Sequence, residues 1–111
     1  MQVNFTARHF KAPDSLREFA EAEAEKLSKY YDGLIKCNVI LSSEKSTSTI
    51  KTAEIIVTAN NHHVFMGKFK TNDYRISMER AFDKIKTQLK KFKERLKSNH
   101  TPKNVNTAQE K

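Results

Sequence analysis

The sequence predicts an α+β domain of order β-α-β-β-β-α, a four-stranded mixed sheet with two helices packed on one face. Three observations predict it. Apolar residues fall at every second position in three segments, as in half-buried strands, and a fourth short apolar run follows a turn. Two other segments repeat apolar residues at helical spacing. One of those helices separates the first strand from the remaining three, which gives the sheet its mixed character.

Met1 to Arg8 alternates Val3, Phe5 and Ala7 with Gln2, Asn4, Thr6 and Arg8, the pattern of a strand with one face buried. Lys11 to Asp14 is a connector whose Pro13 blocks an earlier helix start. Asp14 or Ser15 is expected to cap the helix that follows, and Ser15 with Glu18 has capping-box spacing. Its apolar stripe is Leu16, Phe19, Ala20, Leu27, Tyr30 and Tyr31. Glu18, Glu21, Glu23 and Glu25 precede Lys26 and Lys29, matching the helix dipole. Gly33 is expected to end the helix by taking a positive φ.

Ile35, Cys37, Val39 and Leu41 share one face of the second strand, and Ala53, Ile55, Val57 and Ala59 one face of the third. A Ser/Thr-rich turn, Ser42 to Thr49, joins them; Asn60 and Asn61 turn the chain into a last strand, Val64 to Phe69. These three make an antiparallel meander, and a right-handed crossover sets the first strand parallel to a neighbour. Met78, Phe82, Ile85, Leu89, Phe92 and Leu96 form one seam on a helix of about five or six turns. The seam stops at Ser98. The predicted domain is therefore residues 1–97, with residues 98–111 a disordered polar tail.

Composition removes several function classes. The 111 residues suit one domain. No apolar run has the length of a membrane span and Met1 to Phe10 lacks the core of a signal peptide, so a cytoplasmic location is expected. The single cysteine, Cys37, has no intramolecular partner for a disulfide and reads as a small buried hydrophobe. His9, His62, His63 and His100 do not converge in the pattern of a metal site, and no phosphate loop or nucleophile motif is present. The expectation is a protein without catalytic residues, metal or cofactor.

Charge is the informative feature. The chain carries a formal +8, yet residues 1–67 hold eight basic and eight acidic side chains, so the excess lies beyond them. On a helical projection from Ile85, Arg80, Lys84, Lys91 and Arg95 fall at roughly 220–280°, with Gln88 beside them near 300°. Lys86, Lys90, Lys93 and Lys97 fall at roughly 80–140°. Two basic rows thus flank the apolar seam. Lysine stems beside a seam can simply cover it. A solvated face, however, mixes signs, whereas Arg80–Lys84, Lys86–Lys90, Lys91–Arg95 and Lys93–Lys97 put like charges at i,i+4, each costing about 0.2–0.5 kcal/mol. Stability does not account for such rows; a polyanion laid across them does. With no exposed aromatic in the rows, backbone and shape recognition of folded RNA is expected rather than base stacking.

The last helix also resembles a known signature. Asp73-Tyr74-Arg75-Ile76-Ser77-Met78-Glu79, Ala81, Asp83-Lys84-Ile85 and Gln88-Leu89 with Lys91 and Lys93 are similar to the final helix of the ribosome hibernation promoting factors, also called ribosome-associated inhibitors or sigma factor modulation proteins. Leu16 to Leu27 and Ala53-Glu54-Ile55 agree, so the resemblance covers residues 1 to about 97. Arg75 stands where the family usually has an aromatic, and the chain resembles the short form, without the domain through which long members pair ribosomes. The resemblance implies a fold like the double-stranded RNA-binding domain. It implies binding to the small ribosomal subunit in the mRNA and tRNA channel, where occupancy of the A and P sites stops translation under stress and in stationary phase. Lys84, Gln88, Lys91 and Lys93 match the motif as contacts to ribosomal RNA; Arg95, Lys90, Lys86, Arg80 and Lys97 follow from the rows, and Arg8 closes the set. The expected partner is the assembled ribosome, with a monomer when free and no membrane or small-molecule substrate. The alternative reading is a general module for structured RNA.

Overall fold

The computed structural model describes residues 1–44 and 47–98. Its elements run β1 (Gln2–Ala7), α1 (Asp14–Tyr30), β2 (Leu34–Glu44), β3 (Thr47–Ala59), a 3₁₀ turn (Asn60–His62), β4 (Val64–Thr71) and α2 (Tyr74–Ser98). The expected polar tail beyond Ser98, the middle of the Ser42–Thr49 turn and the Lys97 side chain lie outside the described residues.

The strands lie in the order β1-β2-β3-β4. β1 runs parallel to β2, with Phe5 beside Val39, and the other two pairings are antiparallel. This is the predicted mixed sheet. α1 lies against β1 and β2, and α2 against β3 and β4. Between the layers, Cys37, Val39 and Leu41 of β2 and Ala53, Ile55 and Val57 of β3 are sealed under Leu27 of α1 and Met78, Phe82, Ile85 and Leu89 of α2. The seam outruns the sheet: Phe92 is half-buried and Leu96 is 40% exposed. At 25 residues α2 is about 37 Å long, longer than the eight-residue edge strand β4 beside it, which spans about 26 Å.

Four local expectations are corrected. Pro13, not Asp14 or Ser15, occupies the N-cap of α1, and no side chain caps it. The proline is already extended (φ −65°, ψ 153°), and its carbonyl accepts from the Leu16 amide at 3.0 Å. Gly33 does not take a positive φ. It sits in a close approach of side chains instead, since a Cβ there would lie 2.6 Å from the Tyr31 ring and 2.9 Å from Asn60 Oδ1 unless those side chains turned aside. Ile35 does not share the inner face of β2. A bulge between Leu34 and Lys36 turns Leu34 inward and leaves Ile35 54% exposed. Tyr30 leaves the apolar stripe of α1 and is 43% exposed, while Glu23 and Ala24 are buried on that helix.

Two buried polar groups are accounted for. The hydroxyl of Ser77, fully buried in the first turns of α2, donates to the Lys51 carbonyl (2.7 Å) and lies 2.7 Å from Thr71 Oγ1, tying α2 to β3 and β4. Burial pushes the Cys37 thiol up to about 12. The native chain is therefore expected to resist iodoacetamide at pH 8 and to react at once in denaturant; fast native labelling would contradict the burial. The sign of the pH effect follows: the unfolded thiol ionises near 9 and the folded one near 12, so this thiol's share of stability is intact below pH 9 and is lost between those values.

Candidate nucleic-acid interface

Two devices fix α2 on the sheet. At its N-terminus, Asp73 Oδ1 accepts from the Arg75 amide at 2.8 Å and the Asp73 carbonyl from the Ser77 amide at 2.9 Å, so Asp73 caps the helix. Tyr74 stacks on Phe10 (centroids 4.7 Å apart), and the Arg75 guanidinium lies 4.8 Å from the centroid of the Phe19 ring. Arg75 thus ties the start of α2 to α1 by a cation–π contact. Near its middle, α2 approaches β4 closely enough that a Cβ on Gly67 would fall 2.5 Å from the Ala81 carbonyl oxygen.

The two rows differ in what they touch. On the β4 side, Lys84 Nζ donates to the Lys68 carbonyl (3.0 Å) and Gln88 Nε2 to the Met66 carbonyl (2.6 Å). β4 is an edge strand, and these side chains occupy acceptors that would otherwise face an open sheet edge. Arg80, Lys91 and Arg95 are exposed and form no hydrogen bond or ion pair among the described residues. On the α1 side, Lys86 Nζ is 3.4 Å from Glu23 Oε1, and Lys93 Nζ donates to the Tyr30 carbonyl (2.9 Å) while lying 4.1 Å from the centre of its ring. Lys90 is exposed and makes no such contact among the described residues. The structure brings Lys84, Gln88, Lys91, Arg95 and Arg80 onto one flank and Lys86, Lys90 and Lys93 onto the other. Arg8 joins neither: it is exposed just beyond the end of β1, on the strand farthest from β4, with its amide on the Leu41 carbonyl.

α2 thus presents two like-charged flanks on either side of its buried seam. The family model described as Sigma 54 modulation protein / S30EA ribosomal protein matches residues 3–97. The chain belongs to this family. Among similar proteins, the ribosome hibernation promoting factor of Escherichia coli K12 is 32% identical over 97 residues, covering 87% of this chain and 98% of that one. The protein of the same name from Azotobacter vinelandii is 28% identical, covering 86% and 85%. Among solved structures, the Protein Y N-terminal domain of Thermus thermophilus superposes with a TM-score of 0.71 at 26% identity, covering 83% of this chain and 99% of that one. A ribosomal subunit interface protein from Coxiella burnetii shares the fold, with a TM-score of 0.74 at 19% identity and coverage of 85% and 99%.

The sequence reading of this family member missed the contribution of α1. Tyr30, Leu27 and Lys26 border a groove beside Lys86 and Lys90. The available signal was their i,i+3 and i,i+4 spacing, which places Lys26, Leu27 and Tyr30 on adjoining parts of one helix surface. Helical periodicity alone does not show where an apolar stripe ends, so the spacing counts Tyr30 with the core although it is 43% exposed.

Proposed function

We propose that this chain is a non-catalytic ribosome hibernation factor. It binds the small ribosomal subunit in the mRNA and tRNA channel and blocks translation by occupying the A and P sites. The binding unit is residues 1–97, acting in the cytoplasm as a monomer when free. One observation carries the reading: in a chain of a family whose relatives are named for ribosome hibernation, Arg80, Lys90, Lys91 and Arg95, exposed and without ion pairs among the described residues, stand along one helix. Such a helix gathers like charges along one element, where phosphate can replace their counterions.

The residues divide by role. Arg80, Lys91 and Arg95 reach phosphate from the β4 flank, and Lys86, Lys90 and Lys93 from the α1 flank. Lys84 and Gln88 act from their posts on the β4 edge, which orients that flank. Inhibition needs no chemistry, since a rigid sheet-backed helix excludes mRNA and tRNA by volume. Sedimentation of stationary-phase extract through a sucrose gradient at moderate salt tests this directly. The protein is expected with ribosomes and small subunits; recovery only in the soluble top fractions would refute it.

A further inference from the structure

The groove between α1 and α2 has a volume of about 320 Å³ and is bordered by Lys26, Leu27, Tyr30, Lys86 and Lys90. That volume is at the small end of the roughly 300–1,000 Å³ typical of ligand sites. Its chemistry is divided. Leu27 lies beneath its floor, 1% exposed, and the partly exposed Tyr30 ring contributes an aromatic wall. Lys26, Lys86 and Lys90 bring three positive charges to its border. Glu23 is the carboxylate that faces them: only 7% exposed, it holds Lys26 at 2.9 Å and Lys86 at 3.4 Å. Asp83 also lies 3.9 Å from Lys86 Nζ, so two carboxylates meet three lysines and the groove stays cationic, with the buried Glu23 fixing where two of the cations stand. Lys93, on the Tyr30 ring and carbonyl, adds a fourth cation close by.

An RNA duplex offers this groove phosphates but no flat apolar surface, because each paired base is covered by its neighbours in the stack. A purely apolar ligand would leave the lysines without counter-charge. An unpaired nucleotide satisfies both parts, with its base against the Tyr30 ring and its flanking phosphates on Lys86 and Lys90. We infer that the α1–α2 groove is a binding site for a single extruded nucleotide of RNA, with Tyr30 as the stacking wall and Glu23 as the positioning residue for Lys26 and Lys86. This rests on the reading that α2 binds RNA and deepens it: one flank of α2 meets backbone alone, and the other also holds a base.

The test compares two RNA hairpins of equal length with the full chain, one fully paired and one with a single unpaired 2-aminopurine in its stem. The bulged hairpin is expected to bind roughly tenfold more tightly, with a change in 2-aminopurine fluorescence on binding. Tyr30→Ala should abolish that preference and the fluorescence change, while affinity for the paired hairpin falls by no more than the single contact of Lys93, which rests on the Tyr30 ring, and Tyr30→Phe should retain the preference and the signal. Tyr30 is exposed, so its removal does not open the core. Equal affinity of the wild-type chain for both hairpins, or a preference that survives Tyr30→Ala, would overturn the groove assignment. If the chain still sediments with ribosomes in that case, only the base site is lost; if it does not, the underlying reading falls as well.

Discussion

Reversing Arg80, Lys91 and Arg95 together to Glu is expected to reduce ribosome affinity by about a thousandfold, from the loss of roughly 1.5 kcal/mol for each charged phosphate contact. The slope of log affinity against log salt should fall by about three, one for each contact removed. The fold should survive. All three side chains are exposed and make no hydrogen bond or ion pair among the described residues. Glu matches Arg and Lys closely in helix propensity. Arg80→Glu even sets an opposite charge four residues before Lys84, where a like charge stood. Lys84 is deliberately absent from the set: its bond to the Lys68 carbonyl would confuse a lost contact with a disturbed sheet edge. The decisive control reverses Lys11, Lys29 and Lys36, which changes net charge by the same amount away from α2. If both triple variants lose binding equally, the general field of the protein is responsible and the helix is not the address. If the α2 variant still sediments with ribosomes, the contact lies elsewhere.

The order of elements and the paired faces were legible because both depend on residue spacing alone. The alternation at Cys37, Val39 and Leu41 and at Ala53, Ile55 and Val57 reports a buried sheet face whatever covers it, and the seam from Met78 to Leu89 reports a buried helix face in the same way. Spacing fails where one residue changes the count. The bulge at Ile35 shifts the phase of β2 for one step, and no residue type there announces it. It fails again for contacts made by the rim of a helix. Lys84 and Gln88 project at angles indistinguishable from those of Lys91 and Arg95, yet only the former lie over the acceptors of β4. Which cations are free and which are structural therefore depends on where the sheet ends beneath the helix. The groove was hidden for a related reason: half of it comes from a helix more than fifty residues away in sequence, brought alongside Lys86 by Glu23.

Gly67→Ala is expected to lower the melting temperature by about 10–20 °C, from an overpacking cost of about 2–3 kcal/mol and the usual shift per kcal/mol in a domain of this size. The added Cβ would meet the Ala81 carbonyl oxygen at 2.5 Å and Lys84 Cβ at 3.3 Å. The first is backbone in the middle of a long helix and cannot rotate aside, so α2 must lift from β4. Lifting it strains the bonds on either side of Gly67, from Gln88 to the Met66 carbonyl and from Lys84 to the Lys68 carbonyl, and so opens the sheet edge that they cover. It also moves the β4-side cations relative to the sheet, so ribosome affinity should fall along with stability although no charge has changed. Gly33→Ala supplies the contrast. Its Cβ would also come too close, at 2.6 Å, but to the ring edge of Tyr31 and to the end of the Asn60 side chain. Both can turn away, so its loss should be several degrees smaller. Thermal melts of the two variants, followed by circular dichroism, separate backbone contact from side-chain contact. A Gly67→Ala protein melting within two or three degrees of wild type would mean that α2 does not rest on β4 as closely as the geometry requires.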